Sequence, residues 1–210
     1  SIREYVMKYP EFEDSNDIEP SMRMFYIQSV EAQAKNRSYS DTSVRLDAIM
    51  KQGFIRQYFE TNGYCTSWKG KSWVISPQVI QQVYIGYFGE QVFKAILENA
   101  ACNVGSLPEK IWERADWVVN DKLYVDVKFM SDSDFNQHVN AQSWERKIRE
   151  CGGSYIVVNV PRYAGNYSFT HTIQLESGVN LPIINGLIDV ETGAILDKNI
   201  QAVLEKLNIV

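Results

Sequence analysis

The stretch from Arg114 to Phe129, "RADWVVNDKLYVDVKF", decides the fold, because it reads as a β-hairpin whose register burial alone can settle. In an antiparallel pair, directly opposed residues share a face, and a slip of one residue turns every side chain of one strand to the other side. A two-residue loop at Asn120-Asp121 would set Asp116 opposite Val125 and Tyr124 opposite Trp117, mixing charge and bulk on both faces. A three-residue loop, Asn120 to Lys122, sets Trp117 against Val125 and Val119 against Leu123, with Val127 and Phe129 continuing the apolar face. On the other face Asp116 then opposes Asp126, and Lys128 joins them by the period of two. Two ionised carboxylates about 4 Å apart repel by roughly 4 kcal/mol at an effective dielectric of 20, so something positive must hold them. A lysine would do so, and so would Mg²⁺ or Mn²⁺, which accept converging hard oxygen donors.

Upstream, "PQVIQQVYIGYFGEQVFKAILENA" (77–100) is the clearest helix, with Ser76 as N-cap and Pro77 at the first helical position. Val79, Val83, Val92, Phe93, Ile96 and Leu97 fall mostly on one side, and Gly86 and Gly89 allow a close backbone approach just before Glu90. Downstream, "SDSDFNQHVNAQSWERKIRE" (131–150) predicts a helix capped by Ser131 or Ser133. "SYIVVNV" (154–160) predicts a buried strand bounded by Gly153 and Pro161. A strand near "YSFTHTIQL", a hairpin across "INGLIDVETGAIL" turning at Thr192-Gly193, and a closing helix "DKNIQAVLEKL" complete the chain. Helices alternating with strands in this order imply a mixed sheet with helices packed on it, an α/β fold.

Before Pro77 the pattern is helical over 21–36 and 41–64, the second helix capped by Asp41 or Ser40 and closed by Gly63. A hairpin over 64–76 follows, turning at Gly70-Lys71 with Trp68 opposite Trp73. Its tip carries Lys69 and Lys71, either as a solvated turn or as a finger that touches phosphates. Arg45, Lys51 and Arg56 recur at near-helical spacing and would form a basic stripe.

The chain has 210 residues, 45% of them hydrophobic and 22% charged, which suits one domain of ordinary size with elaborations. No apolar run approaches membrane-spanning length, and the first twenty residues lack the pattern of a secretory signal, so an intracellular location is expected. Cys65, Cys102 and Cys151 are odd in number and widely spaced, excluding a disulfide framework and a paired-cysteine zinc site. The net charge of −5 speaks against indiscriminate coating of nucleic acid, yet an enzyme that gathers carboxylates around a metal lowers its own charge.

Asp116, then Asp126-Val127-Lys128 on the next strand, preceded by a helix bearing Glu90, resembles the PD-(D/E)xK nuclease superfamily. This is the restriction endonuclease-like fold shared by many restriction enzymes and archaeal-type Holliday junction resolvases, the latter nearest in motif spacing. The likeness covers about residues 77–160. It implies a nuclease core there, an N-terminal helical and hairpin elaboration over 1–76 for recognition or dimerisation, and a C-terminal extension over 161–210. It also implies that Asp116 and Asp126, completed by Glu90, bind Mg²⁺ or Mn²⁺, while Lys128 orients and helps deprotonate the attacking water. Ala115 stands where the family often has proline, and the Gln-x-x-x-Tyr pattern of end-acting relatives is represented only by Gln142, with Arg146 at the tyrosine position. The histidines, His138 and His171, follow the core motif, unlike those of cap-snatching relatives.

The expectation is therefore a metal-dependent phosphodiesterase acting on nucleic acid, DNA before RNA and duplex or branched, as a homodimer without membrane association. Restriction-like, resolvase-like and viral or mobile-element versions stay open. Beside the catalytic set, Lys69, Lys71, Gln142, Arg146 and Lys147 are candidates for nucleic-acid contact. The alternative from another class is a non-catalytic nucleic-acid- or protein-binding module that keeps the fold.

Overall fold

The computed structural model describes residues 48–62, 85–131, 134–136, 144–163 and 168–208. The chain divides into two compact units, Ser1–Tyr84 and Ile85–Val210. In the first unit, helix α1 spans Gly53–Thr61 and buries Ile55 and Phe59, four residues apart on one face. The periodicity predicts one helix through this region, but the chain turns at 50–52, where Gln52 is extended (φ −72°, ψ 109°). The turn takes Lys51 out of register with Arg56, whose Nε donates to the Met50 carbonyl, so these two do not form a helical stripe. Arg45, the 21–36 helix, the 64–76 hairpin with Lys69 and Lys71, Cys65 and the helix start at Ser76-Pro77 lie outside the described residues.

The second unit is an α/β fold built on a six-stranded mixed sheet in the order β1-β2-β3-β4-β6-β5. The strands are β1 (Val104–Gly105), β2 (Trp117–Val119), β3 (Leu123–Lys128), β4 (Ser154–Arg162), β5 (Phe169–Gln174) and β6 (Asn180–Asp189). The helices are α2 (Ile85–Asn99), α3 (Trp144–Cys151) and α4 (Asp197–Asn208). β3, β4 and β6 run parallel to one another, while β2 pairs antiparallel with β3, β1 with β2, and β5 with β6. The near-continuous apolar run of β4 is what a central strand covered on both faces requires.

The β2–β3 register is the one that burial selects: Trp117 pairs with Val125 and Val119 with Leu123. Asn120 and Asp121 both adopt positive φ, 50° and 56°, which these two residue types tolerate well, and the Lys122 amide closes the turn onto the Val119 carbonyl. Val125, Val127 and Phe129 face α2. There the Phe88 and Phe129 rings lie 5.7 Å apart, and a Cβ built on Gly89 would come within 2.8 Å of the Phe129 Cβ. This close approach brings Glu90, the next residue of α2, alongside the end of β3.

Tyr124, Asp126 and Lys128 look to the other face, in line with Tyr155, Val157 and Asn159 on β4 and with Ile183 and Asn185 on β6. Trp144, Cys151 and Phe135 pack onto this face against Tyr155, Val157 and Ile183. Parallel β3 and β4 need a crossover connection, and α3 belongs to it. Beyond the end of β3, the buried Asn159 amide donates to the Met130 carbonyl and to Asn185 Oδ1 while its Oδ1 accepts from the Met130 N–H.

Several elements differ from the sequence pattern. Of the helix predicted over 131–150, residues 134–136 and α3 are helical, and 137–143, including His138 and Gln142, lie outside the described residues. β4 continues past its expected end at Pro161 to Arg162; the register with β6 shifts between Asn159 and Pro161, and proline has no N–H to contribute to a regular ladder. The predicted 184–196 hairpin has one long limb, β6, and a return limb reduced to a bridge between Ile188 and Ile195. The segment after residue 161 is therefore part of the same sheet. Cys102 and Cys151 are free thiols, and no helix among the described residues is long and apolar enough to cross a membrane.

The Gly89–Phe129 approach predicts that Gly89→Ala destabilises the protein. The gain in helix propensity, about 1 kcal/mol, is smaller than the overpacking cost of about 1–3 kcal/mol. Urea unfolding should show a lower midpoint; an unchanged or raised midpoint would mean that α2 is free to back away from β3.

Candidate active site

Glu90, Asp116, Asp126, Lys128 and Lys147 line one cleft of about 420 Å³, so helices α2 and α3, strand β3 and the segment just before β2 all contribute to it. Asp116 precedes β2 and is fastened to β3 in both directions. Its amide donates to the Val125 carbonyl at 2.9 Å, and its Oδ2 accepts from the Val127 amide at 2.6 Å. The side chain of Glu90 is carried to the cleft by α2, whose Glu90 carbonyl accepts the Trp117 indole N–H at 3.0 Å.

Asp126 is only 1% exposed, and an ionised carboxylate so placed must be paired. Lys128 Nζ lies against its Oδ1, and Lys147 Nζ is 2.8 Å from its Oδ2. The Tyr155 hydroxyl, which donates to the Arg114 carbonyl, also lies 3.5 Å from Oδ2. Burial pushes the Asp126 carboxyl up, but the two ammonium groups outweigh it and hold the group below the usual range. Its neighbours go the other way. Burial first, then the charge of Asp126, raises Asp116 to about 6. Burial and the charge of Asp116 raise Glu90 to about 7. Tyr155 is pushed upward by burial and the nearby Asp126, so it remains a neutral donor.

All four residues of the sequence-derived catalytic set, Glu90, Asp116, Asp126 and Lys128, thus face the same cleft. Lys147, read from the sequence as a phosphate contact on a solvated helix face, belongs to the site itself. The signal was present in the spacing, because Trp144, Lys147 and Cys151 recur three and four apart and both flanking residues are buried. Arg146, by contrast, is exposed and bonds Glu150 at 2.8 Å, and Arg114 pairs with the same carboxylate. His171 lies on exposed β5 beside Phe169 and takes no part in the cleft.

The carboxylates of Glu90, Asp116 and Asp126 with the ammonium groups of Lys128 and Lys147 can gather a cation, hold a phosphate or move a proton. The donor set, hard oxygens of which burial and then neighbouring negative charge raise two of the three, suits Mg²⁺ or Mn²⁺, with Asp116, Asp126 and Glu90 as the residues that would hold it. Among the described residues no three His, Cys, Asp or Glu side chains form a ready-made metal cage; both oxygens of Asp126 are instead turned to lysines.

Raised carboxyl groups make a definite prediction for stability in chelator. Between about pH 4 and pH 7 the folded protein holds protons on Glu90 and Asp116 that the unfolded chain has lost, so stability falls as pH rises through this window. With solvent screening of the two partly exposed groups allowed for, the loss is on the order of a few kcal/mol. Asp126, held down, contributes in the opposite sense and only below about pH 4. Thermal unfolding from pH 5 to 8 should show the slope, and Glu90→Gln should flatten it; a slope unaltered in the variant would remove Glu90 as its source. Compared with known proteins, the chain matches no family model and no curated protein.

Proposed function

We propose that the cleft is the active site of a divalent-metal-dependent nuclease with a restriction endonuclease-like core, hydrolysing phosphodiester bonds of nucleic acid. The reading is carried by one observation: Asp116, just before β2, and Asp126, on β3, line one cleft together with Lys128 and Glu90, and the Asp116 carboxylate is fastened to the β3 backbone at Val127. A surface hairpin has no need of two adjoining carboxylates held against their own repulsion; a phosphoryl-transfer site does.

In this reading Asp116 and Asp126, with Glu90, hold Mg²⁺ or Mn²⁺. Such an ion, when bound, supplies Lewis acidity and makes water a nucleophile at neutral pH. Lys128 orients the attacking water, helps to deprotonate it and adds positive charge where the phosphate gains negative charge. Lys147 adds a second ammonium from the α3 side, and Tyr155 fixes the Arg114 carbonyl just before Asp116. Cutting both strands of a duplex or junction needs two sites, which a twofold dimer provides. DNA is the favoured substrate, inside the cell.

One observation favours a non-catalytic nucleic-acid-binding module: each Asp126 oxygen is already matched to a lysine, as in a purely structural charge cluster. Incubating plasmid, linear duplex, single strands and a four-way junction with Mg²⁺ or Mn²⁺ separates the two. The nuclease cuts at least one substrate, stops in EDTA, and loses about 100- to 1000-fold in rate with Asp126→Ala or Lys128→Ala, each checked for folding by circular dichroism. Binding without cleavage on every substrate and metal would establish the module instead. Lys147→Gln should cost less, about 10-fold, because Lys128 still holds the other oxygen; a loss equal to that of Lys128→Ala would show that the two lysines act as one unit.

A further inference from the structure

The mouth of the cleft carries a side chain that the carboxylate chemistry does not use. Trp112 is 64% exposed, and among the described residues Val179 is the only other large hydrophobic side chain left so open. It lines the same cleft as Asp116 and Asp126. The indole is not on a loose loop. It follows a 3-10 turn at Glu109–Ile111, has helical backbone angles, and sits between two closed turns, Ile111 N–H to Pro108 O and Arg114 N–H to Ile111 O, each 2.9 Å. Arg114 is in turn pinned by Glu150 and by the Tyr155 hydroxyl. An aromatic side chain on a fastened backbone is therefore held out towards solvent four residues before a proposed metal ligand.

Charge at the cleft narrows what would cover that face. Its lining has four carboxylates, Glu90, Glu113, Asp116 and Asp126, against two ammonium groups, Lys128 and Lys147, both committed to Asp126. Gripping a continuous duplex relies on many Lys and Arg contacts to phosphates on two strands. Stacking needs no positive charge and strengthens binding by about 5- to 150-fold per base. Bases inside a duplex are already stacked on both sides, so an exposed indole is useful only for a base that is unpaired or turned out.

We infer that Trp112 is a stacking platform for an unpaired nucleobase next to the cleft, making single-stranded or locally unpaired nucleic acid the preferred substrate over continuous duplex. The inference rests on the nuclease reading for the identity of the ligand as nucleic acid, but binding and cleavage test the two separately.

The full chain in EDTA is titrated against one oligonucleotide sequence as a single strand and as a blunt duplex, read by fluorescence anisotropy, and against the single strand carrying 2-aminopurine. The single strand should bind more tightly, with the 2-aminopurine emission quenched. Trp112→Ala should lower the ratio of single-strand to duplex affinity by about 10-fold and relieve the quenching, and Trp112→Phe should restore most of both. Equal loss on the two ligands, no loss on either, or tighter binding of duplex would overturn the inference. Trp112-dependent binding with no cleavage in Mg²⁺ or Mn²⁺ would uphold stacking and remove catalysis. Cleavage indifferent to Trp112→Ala would do the reverse, and failure to bind any nucleic acid would overturn both.

Discussion

Asp126 sits on the sheet's interior with its charge intact, and water is not there to solvate it. Two amines replace the water: one from the same strand, two residues on, and one from a helix that reaches the same point by crossing back over the sheet. Removing one partner of such a buried set typically costs about 3–5 kcal/mol, since the remaining charge is left uncompensated. The docking of α3, the β3–α3–β4 crossover and the hairpin register are therefore coupled through this one carboxylate. If β2–β3 slipped by a residue, or α3 rotated by one position, a charge would be stranded.

The same arrangement separates the behaviour of three chemically similar acids. Asp126 takes both lysines and stays ionised, while Asp116, raised by burial and the Asp126 charge, and Glu90, raised by burial and the Asp116 charge, hold their protons to higher pH. Environments that push neighbouring acids apart are how active sites assign distinct tasks to one residue type. A ligand carrying two positive charges would draw Asp116 and Glu90 into the ionised form that Asp126 already holds.

How much of this could be seen beforehand depends on the range of the interaction involved. The hairpin register was legible because every residue of "WVVNDKLYV" must choose a side and only one loop length sorts them. The closing helix and the run of β4 were legible for similar local reasons. The role of Lys147 was obscured by the charges around it in "WERKIRE", although the spacing to Trp144 and Cys151 marks the covered face. β1, two residues long, has no periodicity to detect, and its place beside β2 comes from distant hydrogen bonds such as Asn103 with Asn120. The break before Gly53 was hidden because apolar spacing continues across it. Trp112 was not legible at all: an aromatic between Ile111 and Glu113 gives no sign that the fold will leave it in water.

Asn159 extends the sheet beyond β3 through its side chain. Its side-chain amide grips the N–H and C=O of Met130 as a neighbouring strand's backbone would, so the ladder is spliced onward by one residue after β3 has ended. The chain therefore leaves the charged strand in a fixed direction towards the segment that leads to α3. A primary amide is the only side-chain group of that length that both gives and receives here; a carboxylate, nearly identical in shape, would set its negative charge against the Met130 and Asn185 carbonyl oxygens. Replacing that single nitrogen by oxygen, as in Asn159→Asp, would thus unfasten the chain where it leaves β3 without touching any of the acids in the cleft.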